Sequence, residues 1–203
     1  FDTAGATHWE HFVMANTHYL ALANVANDAT FYIDSYLFRF NETTAQFEVA
    51  QKLATIGAVH WNHFTIGEVH FLAVANMYDG VTREVNSTLY RFDTQSGTFV
   101  VHQEIATVGA GEWEHFQIEN EHFLVVACAY NGTSYSVAST VYRYNDDTML
   151  FQKVTDIDTT GAYGWEHFVI DNTHYLIVAN YADDTTGYNV DSQLYRLASF
   201  CAT

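Results

Sequence analysis

Proline is absent from all 203 residues. The residue that locks φ and removes an N–H donor therefore never interrupts a strand ladder, and continuous β-pairing is open along the whole chain. Cysteine is nearly absent too. Cys128 and Cys201 allow one disulfide in an oxidising compartment or two separate thiols, and the sequence does not choose between them. Basic residues are scarce, with 7 Lys and Arg against 24 Asp and Glu and a formal charge of −17. Such a surface repels phosphate backbones and anionic lipid, which argues against nucleic acid and membrane surfaces as partners. No run approaches the roughly eighteen apolar residues of a membrane span, so no membrane insertion is expected. The N-terminus also lacks the basic-then-apolar pattern of a secretory leader, so a secreted protein would be met here in its mature form.

What is present is a repeat. Trp9-Glu10-His11-Phe12, Trp61-Asn62-His63-Phe64, Trp113-Glu114-His115-Phe116 and Trp165-Glu166-His167-Phe168 place four tryptophans 52 residues apart. A period held without slippage means equal structural units, roughly 1–53, 54–105, 106–157 and 158–203 of one repeat domain. A Gly-Ala turn signal (Gly5, Gly57, Gly109, Gly161) opens each unit. The tryptophan segment, strand a, follows it. Next come a short apolar run (His18 to Asn24, His70 to Asn76, His122 to Cys128, His174 to Asn180), a polar loop, and a segment ending in Arg39, Arg91, Arg143 or Arg196. These are strands b and c. Three units continue into a fourth segment, strand d, from Phe47, Phe99 and Phe151. Short apolar runs bounded by turn residues read as strands rather than helices. Four strands in such a period predict an all-β chain of β-propeller blades. The last unit has no complete strand d, and Phe1-Asp2-Thr3 aligns with the tail of one, so the closing blade is expected to be incomplete. Exposed strand edges associate, which makes a homo-oligomer through this blade an alternative.

The pattern Gly-Ala-x-x-Trp-Glu-His-Phe, then Tyr/Phe-Leu-x-Val-Ala-Asn, then Ser-x-Leu-Tyr-Arg, then Phe-x-x-x-Gln, resembles the EAR repeat, also called the EPTP or epitempin repeat. The resemblance covers nearly the whole chain and includes Gln51, Gln103 and Gln152. It implies a propeller of the kind family members build from seven repeats, and a role as an extracellular protein ligand without catalysis. Four repeats stand here.

A two-residue a–b hairpin would set Phe12 opposite Tyr19 and Glu10 beside Ala21, with Trp9 and His11 on the other face. The aromatic pairs of this register are core candidates. Glu10, Glu114 and Glu166, and His11, His63, His115 and His167, lie on the strand expected nearest the propeller axis. Converging imidazoles there would bind a transition metal, and carboxylates a divalent cation such as calcium. The competing reading is that these groups hydrogen-bond between blades, which the alignment of Glu10 with Asn62 favours. The repeated arginines are expected to pair with acids.

Recognition is expected where the repeats differ. The b–c loop and the entry to strand a gather His8, Asn27, Asp28 and Tyr32 in unit one, and Tyr78 and Asp79 with His60 and Arg83 in unit two. Unit three brings Glu112, Tyr130, Asn131 and Tyr135 to this end, and unit four Tyr163, Asp183, Asp184 and Tyr188. Rings beside short acids and amides suit sugars, and tyrosines equally anchor protein partners. Three sequons, at Asn41, Asn86 and Asn131, mark N-glycosylation candidates and favour a secreted, extracellular glycoprotein. There is no Gly-x-Ser-x-Gly, His-Glu-x-x-His or phosphate-cradling loop, so no catalytic residue is assigned and an enzyme is not expected. The expectation is a non-enzymatic, lectin-like module for extracellular glycans, with a cell-surface protein as alternative partner and a metal-binding propeller as a third reading.

Overall fold

A computed structural model describes residues 1–197. Cys201 lies outside these residues, and the question of its pairing with Cys128 lies outside them too. Every regular element among the described residues is a β-strand. The first sheet holds β1 (Ala6–Met14), β2 (Thr17–Asn24), β3 (Tyr32–Asn41) and β4 (Gln46–Ile56), paired in chain order. The second holds β5 (Ala58–Ile66), β6 (Val69–Asn76), β7 (Glu84–Asp93) and β8 (Thr98–Val108) in the same order. β9 (Ala110–Ile118), β10 (Glu121–Cys128), β11 (Ser139–Asn145) and β12 (Leu150–Ile157) form the third. β13 (Ala162–Ile170), β14 (Thr173–Asn180) and β15 (Gln193–Arg196) form a fourth with three described strands. These antiparallel meanders are the blades of the β-propeller class, and the last shows three strands among the described residues. The chain divides into two compact units, Phe1–Ala110 and Gly111–Thr203.

Turn chemistry sets the register. Ala15 and Asn16, and Asp171 and Asn172, all have positive φ, the two-residue hairpin geometry that matches strand twist. Phe12 consequently faces Tyr19 and Glu10 faces Ala21, and the same offset puts Phe168 opposite Tyr175. The c–d turns open on Asn41, Asp93 and Asn145, whose side-chain oxygens accept from the N–H groups of Thr43, Gln95 and Thr148 at 2.9, 3.1 and 2.9 Å. Each turn ends on a left-handed residue: Ala45 (φ 52°), Gly97 (φ 70°) and Met149 (φ 57°).

In the first unit, Phe12, Met14, Ala21, Ala23 and Leu37 of one sheet bury against Trp61, Leu72, Val74 and Tyr90 of the next. Alternation explains this, because the Glu and Phe of each Trp-x-His-Phe segment face one way and the Trp and His the other. Polar clamps fasten the ends. Asn76 accepts from Ile56 N–H at 3.2 Å and donates to the Asn86 carbonyl at 2.9 Å, while Ser87 and Thr107 hydroxyls meet at 2.9 Å. Gln51 grips the Phe99 backbone at both its N–H (2.9 Å) and its carbonyl (2.7 Å).

The second unit repeats this plan around Phe116, Phe123, Val125, Trp165, Leu176 and Val178. Asn180 supplies the clamp of its sheet, donating to the Asp191 carbonyl at 2.9 Å. In the third sheet the equivalent residue is Cys128, which has no amide to hold the start of strand c. β11 begins at Ser139, whose hydroxyl accepts from Cys128 N–H at 3.4 Å.

Backbone sign and space give a direct test. Gly57 has φ +56°, and a Cβ there would collide with the Tyr78 carbonyl, so Gly57→Ala should cost more than ~2 kcal/mol. Ala45→Gly relieves a left-handed alanine and should add about 0.5–1 kcal/mol. Urea denaturation of the two variants beside the parent measures both.

Candidate functional site

The repeated histidines do not form the axial set expected of them. Each donates to or accepts from a histidine of its own sheet: His11 Nε2 lies 2.9 Å from His18 Nδ1, His63 Nε2 2.9 Å from His70 Nδ1, His115 Nε2 3.1 Å from His122 Nδ1, and His167 Nε2 3.0 Å from His174 Nδ1. Strand alternation forces this, because the imidazoles stand perpendicular to the sheet, on the tryptophan face. Within each unit the ring also packs on a phenylalanine of the neighbouring sheet, His63 on Phe12 at 4.1 Å and His167 on Phe116 at 5.1 Å. Among the described residues no group of three or more His, Cys, Asp or Glu is disposed to hold a metal ion. Glu10, His11, His63, Glu114, His115, Glu166 and His167, weighed as a calcium or transition-metal set, are not gathered into such a group within either unit. For Glu10 the structure shows the competing role, since its Oε1 accepts from His63 N–H of the next sheet at 3.2 Å. The carboxyl is raised above its usual range by burial, against the lowering effect of that bond.

The residue before the tryptophan plays the same part in the first and third sheets. His8 Nδ1 accepts from Trp61 N–H at 3.3 Å, and its ring lies tilted by 33° against His60 with centroids 4.0 Å apart. His8 is thus an inter-sheet contact of the first unit rather than a rim ligand, and burial lowers its pKa. Burial also pulls His60 down to about 3, with the His8 charge adding to it, and His63 to about 4, with His70 adding. In the second unit this position is Glu112, which bonds to Trp165 N–H and lies over Gly164, where a Cβ would strike its carboxylate. Burial, opposed by the Trp165 N–H bond and aided by the nearby Glu166, pushes Glu112 up to about 7.

Four of the expected rim residues are turn framework. Asn27 accepts from Ala29 and Thr30 N–H at 2.9 Å each, and Asp79 from Val81 and Thr82 N–H at 2.7 Å each. Asn131 and Asp183 do the same at the matching positions. These four residues shape the b–c loops. Those bonds and the Thr186 hydroxyl hold Asp183 down to about 2. Asp184 accepts from Ser134 Oγ at 2.5 Å and Tyr135 N–H at 2.8 Å, tying together the two loops of its unit. Tyr78 is occupied by Phe31 at 4.9 Å and the Arg83 guanidinium at 4.8 Å. Tyr32 donates to Asp79 at 3.3 Å, at a groove of about 600 Å³ that Asp34, Glu84, Glu104 and the sequon Asn86 also line. Asp28 is exposed. Arg143 pairs with Glu121 of β10 rather than with the glutamate of its tryptophan segment.

What remains open is a tyrosine ladder in the second unit. Tyr163, Tyr181 and Tyr188 are 50%, 48% and 73% exposed, with ring centroids 5.3 Å apart for the first pair and 5.1 Å for the second. A hydrogen bond with Tyr188 and its charge, then the neighbouring Tyr135 and Tyr163, raise the Tyr181 pKa. Tyr181, missed in the sequence, is the link between the two predicted tyrosines. The available signal was an aromatic ring where the other units carry Val25, Met77 and Ala129.

Three strands of one sheet led by strand d of the sheet before it make up the unit that known families recognise. Residues 46–93, 98–145 and 150–197 each match the EPTP domain, and the chain belongs to that family. It is 40% identical over 153 residues to the thrombospondin-type laminin G domain and EAR repeat-containing protein of Mus musculus, and 38% identical to that of Homo sapiens. Each alignment covers 75% of this chain and 23% of the relative, so the chain spans about a quarter of those proteins. Among solved structures, the α-L-arabinofuranosidase of Fusarium graminearum aligns with a TM-score of 0.64 at 8% identity, over 94% of this chain and 61% of that one. An exo-β-1,3-galactanase from Phanerochaete chrysosporium aligns with a TM-score of 0.57 at 10% identity, over 89% and 44%. These likenesses are of fold alone.

The two shifted groups predict opposite pH responses. His60 and His63 are depressed in the folded state, so acid protonates the unfolded chain first, and their contribution is lost as pH falls from about 6.5 towards 3. Glu112 is raised, so its contribution is present below about 4.5 and lost as pH rises through about 7. Glu112→Gln should raise the melting temperature at pH 8 and leave it nearly unchanged at pH 4.5, as differential scanning calorimetry at the two values would show.

Proposed function

We propose that this chain is a non-enzymatic recognition module of an extracellular protein that binds glycans at the Tyr163–Tyr181–Tyr188 ladder. The observation that carries the reading is the exposure of three contacting tyrosines on one rim, with Tyr181 standing where the other units carry Val25, Met77 and Ala129. Exposed rings offer flat apolar faces to the C–H faces of sugars, and their hydroxyls, with Tyr163 beside the inner-strand Glu112–Gly164 contact, supply donors and acceptors for sugar hydroxyls. His8, Glu10 and Glu112 are engaged in sheet-to-sheet bonds and eight other histidines in cross-strand pairs, which supports binding rather than catalysis. Exposed sequon asparagines at 86 and 131 support secretion and glycosylation, and Asn41 sits at a turn of the same kind of surface. Glycans at Asn86 would crowd the groove of the first unit, which leaves the fourth sheet as the contact site.

The second reading is a cell-surface protein as partner, favoured because tyrosine is also a preferred anchor at protein interfaces. Tyr181→Ala and Tyr188→Ala should each weaken glycan binding by about tenfold without changing the melting temperature. A glycan array probed with parent and variants is the measurement. Silence on the array, with a cell-surface protein recovered by cross-linking through the same tyrosines, would replace the first reading by the second.

A further inference from the structure

The face of the first sheet that buries Ala21 and Leu37 opens, near its c–d turn, into a groove of about 700 Å³. Strand register lines up one wall of it. Tyr19 of β2 stands opposite Arg39 of β3, and Arg39 opposite Glu48 of β4, so the three share a face that Asn41 joins by alternation. Phe92 of the second sheet lines the groove as well. Among the described residues neither the Tyr19 hydroxyl nor the exposed Arg39 guanidinium has a hydrogen-bond or ionic partner. The cause is local, because Thr17 stands where Glu121 of the third sheet holds Arg143.

Asn41 opens the sequon Asn41-Glu42-Thr43, and its side chain is fixed. Its Oδ1 accepts from Thr43 N–H at 2.9 Å and Thr44 N–H at 3.4 Å, while Nδ2 donates to Glu48 Oε1 at 2.9 Å. Those bonds turn Nδ2, the atom that takes a sugar, towards Glu48 on the groove wall. We infer that an N-glycan on Asn41 folds back onto its own chain and seats its first sugars in this groove, an inference that rests on the reading of the chain as a secreted glycoprotein. Attachment joins Nδ2 to C1 of the first sugar, as one Nδ2 proton leaves and a lipid-linked pyrophosphate departs from C1. The other Nδ2 hydrogen stays to donate to Glu48. Alternate residues of a strand lie about 6.8 Å apart, close to the span of one sugar ring, so a chain leaving Asn41 meets Arg39 at once. The guanidinium then donates to sugar oxygens, and Tyr19 and Phe92 offer apolar ring surface. The groove is of the size usual for small-ligand sites, about 300–1,000 Å³. The groove beside Asn86 lacks this donor, since its charged lining residues Asp34, Asp79, Glu84 and Glu104 all accept.

Secretion of this chain from eukaryotic cells supplies the material, and mass spectrometry of the sequon peptides reads occupancy. Asn41 should carry sugar. Sugar at Asn86 or Asn131 with none at Asn41 overturns this inference alone, whereas none at any of the three removes the glycoprotein reading with it. In the glycosylated protein, NMR should show Overhauser contacts between the first N-acetylglucosamine and the Tyr19 ring. Their absence overturns the inference, as do Tyr19 contacts made solely to added free chitobiose, which would give the groove to a ligand from solution. Asn41→Gln should lower the melting temperature of the glycosylated chain by about 2–4 °C. Arg39→Ala should lower it comparably with the glycan in place and by less than about 1 °C in bacterially made, sugar-free chain. An equal Arg39→Ala effect in both forms would make Arg39 purely structural and overturn the inference.

Discussion

The packing of one sheet's phenylalanine onto the next sheet's histidine is the contact on which the rest of each unit depends. Phe12 lies against His63 with ring planes 8° apart, and Phe116 against His167 at 21°. Such a contact is worth about 0.5–1.5 kcal/mol beyond the area it buries. Its larger effect is positional. It brings Glu10 within reach of the His63 N–H and His8 within reach of the Trp61 N–H, and it strips water from the His63 imidazole, which favours its neutral form. A stack of sheets needs a polar system that tolerates burial, and paired neutral imidazoles supply it without a net charge.

Much of the architecture was legible because period-two alternation and turn residues leave few options. The hairpin parity deduced from the spacing of Phe12 and Tyr19 is the register observed. The direction of the histidines was not legible. Sequence gives the face of a strand but not whether a side chain reaches inward along the sheet, sideways to a partner or across to the next sheet, and His11 was assigned to an axis when it belongs to a pair. Rim residues show the same limit. Asn27 and Asp183 looked like ligands because the amides and acids that bind sugars are also those that cap turns, and only the hydrogen bonds separate the two roles. Tyr181 escaped because a lone aromatic in a polar loop gives no pattern until its neighbours are known.

Where the repeats depart from their own rule, local structure departs with them. Cys128 stands where three other sheets have an asparagine, so the third sheet lacks the side-chain amide that grips the carbonyl before strand c in the others. Glu112 and Gly164 replace the His8 and His60 of the first unit, exchanging a ring-on-ring contact for a carboxylate over a bare backbone. Variation inside a repeating frame is therefore informative about mechanics as well as about ligands.

The phase of the family unit has one more consequence. Because residues 46–93 and 150–197 each begin with the outermost strand of one sheet and end with the third strand of the next, every such unit is stitched into two sheets at once. A gene duplication or loss in this phase adds or removes material while every interior sheet keeps four strands. Array length can drift over evolutionary time without exposing a raw hairpin in the middle, and the burden of an unfinished sheet falls only on the ends.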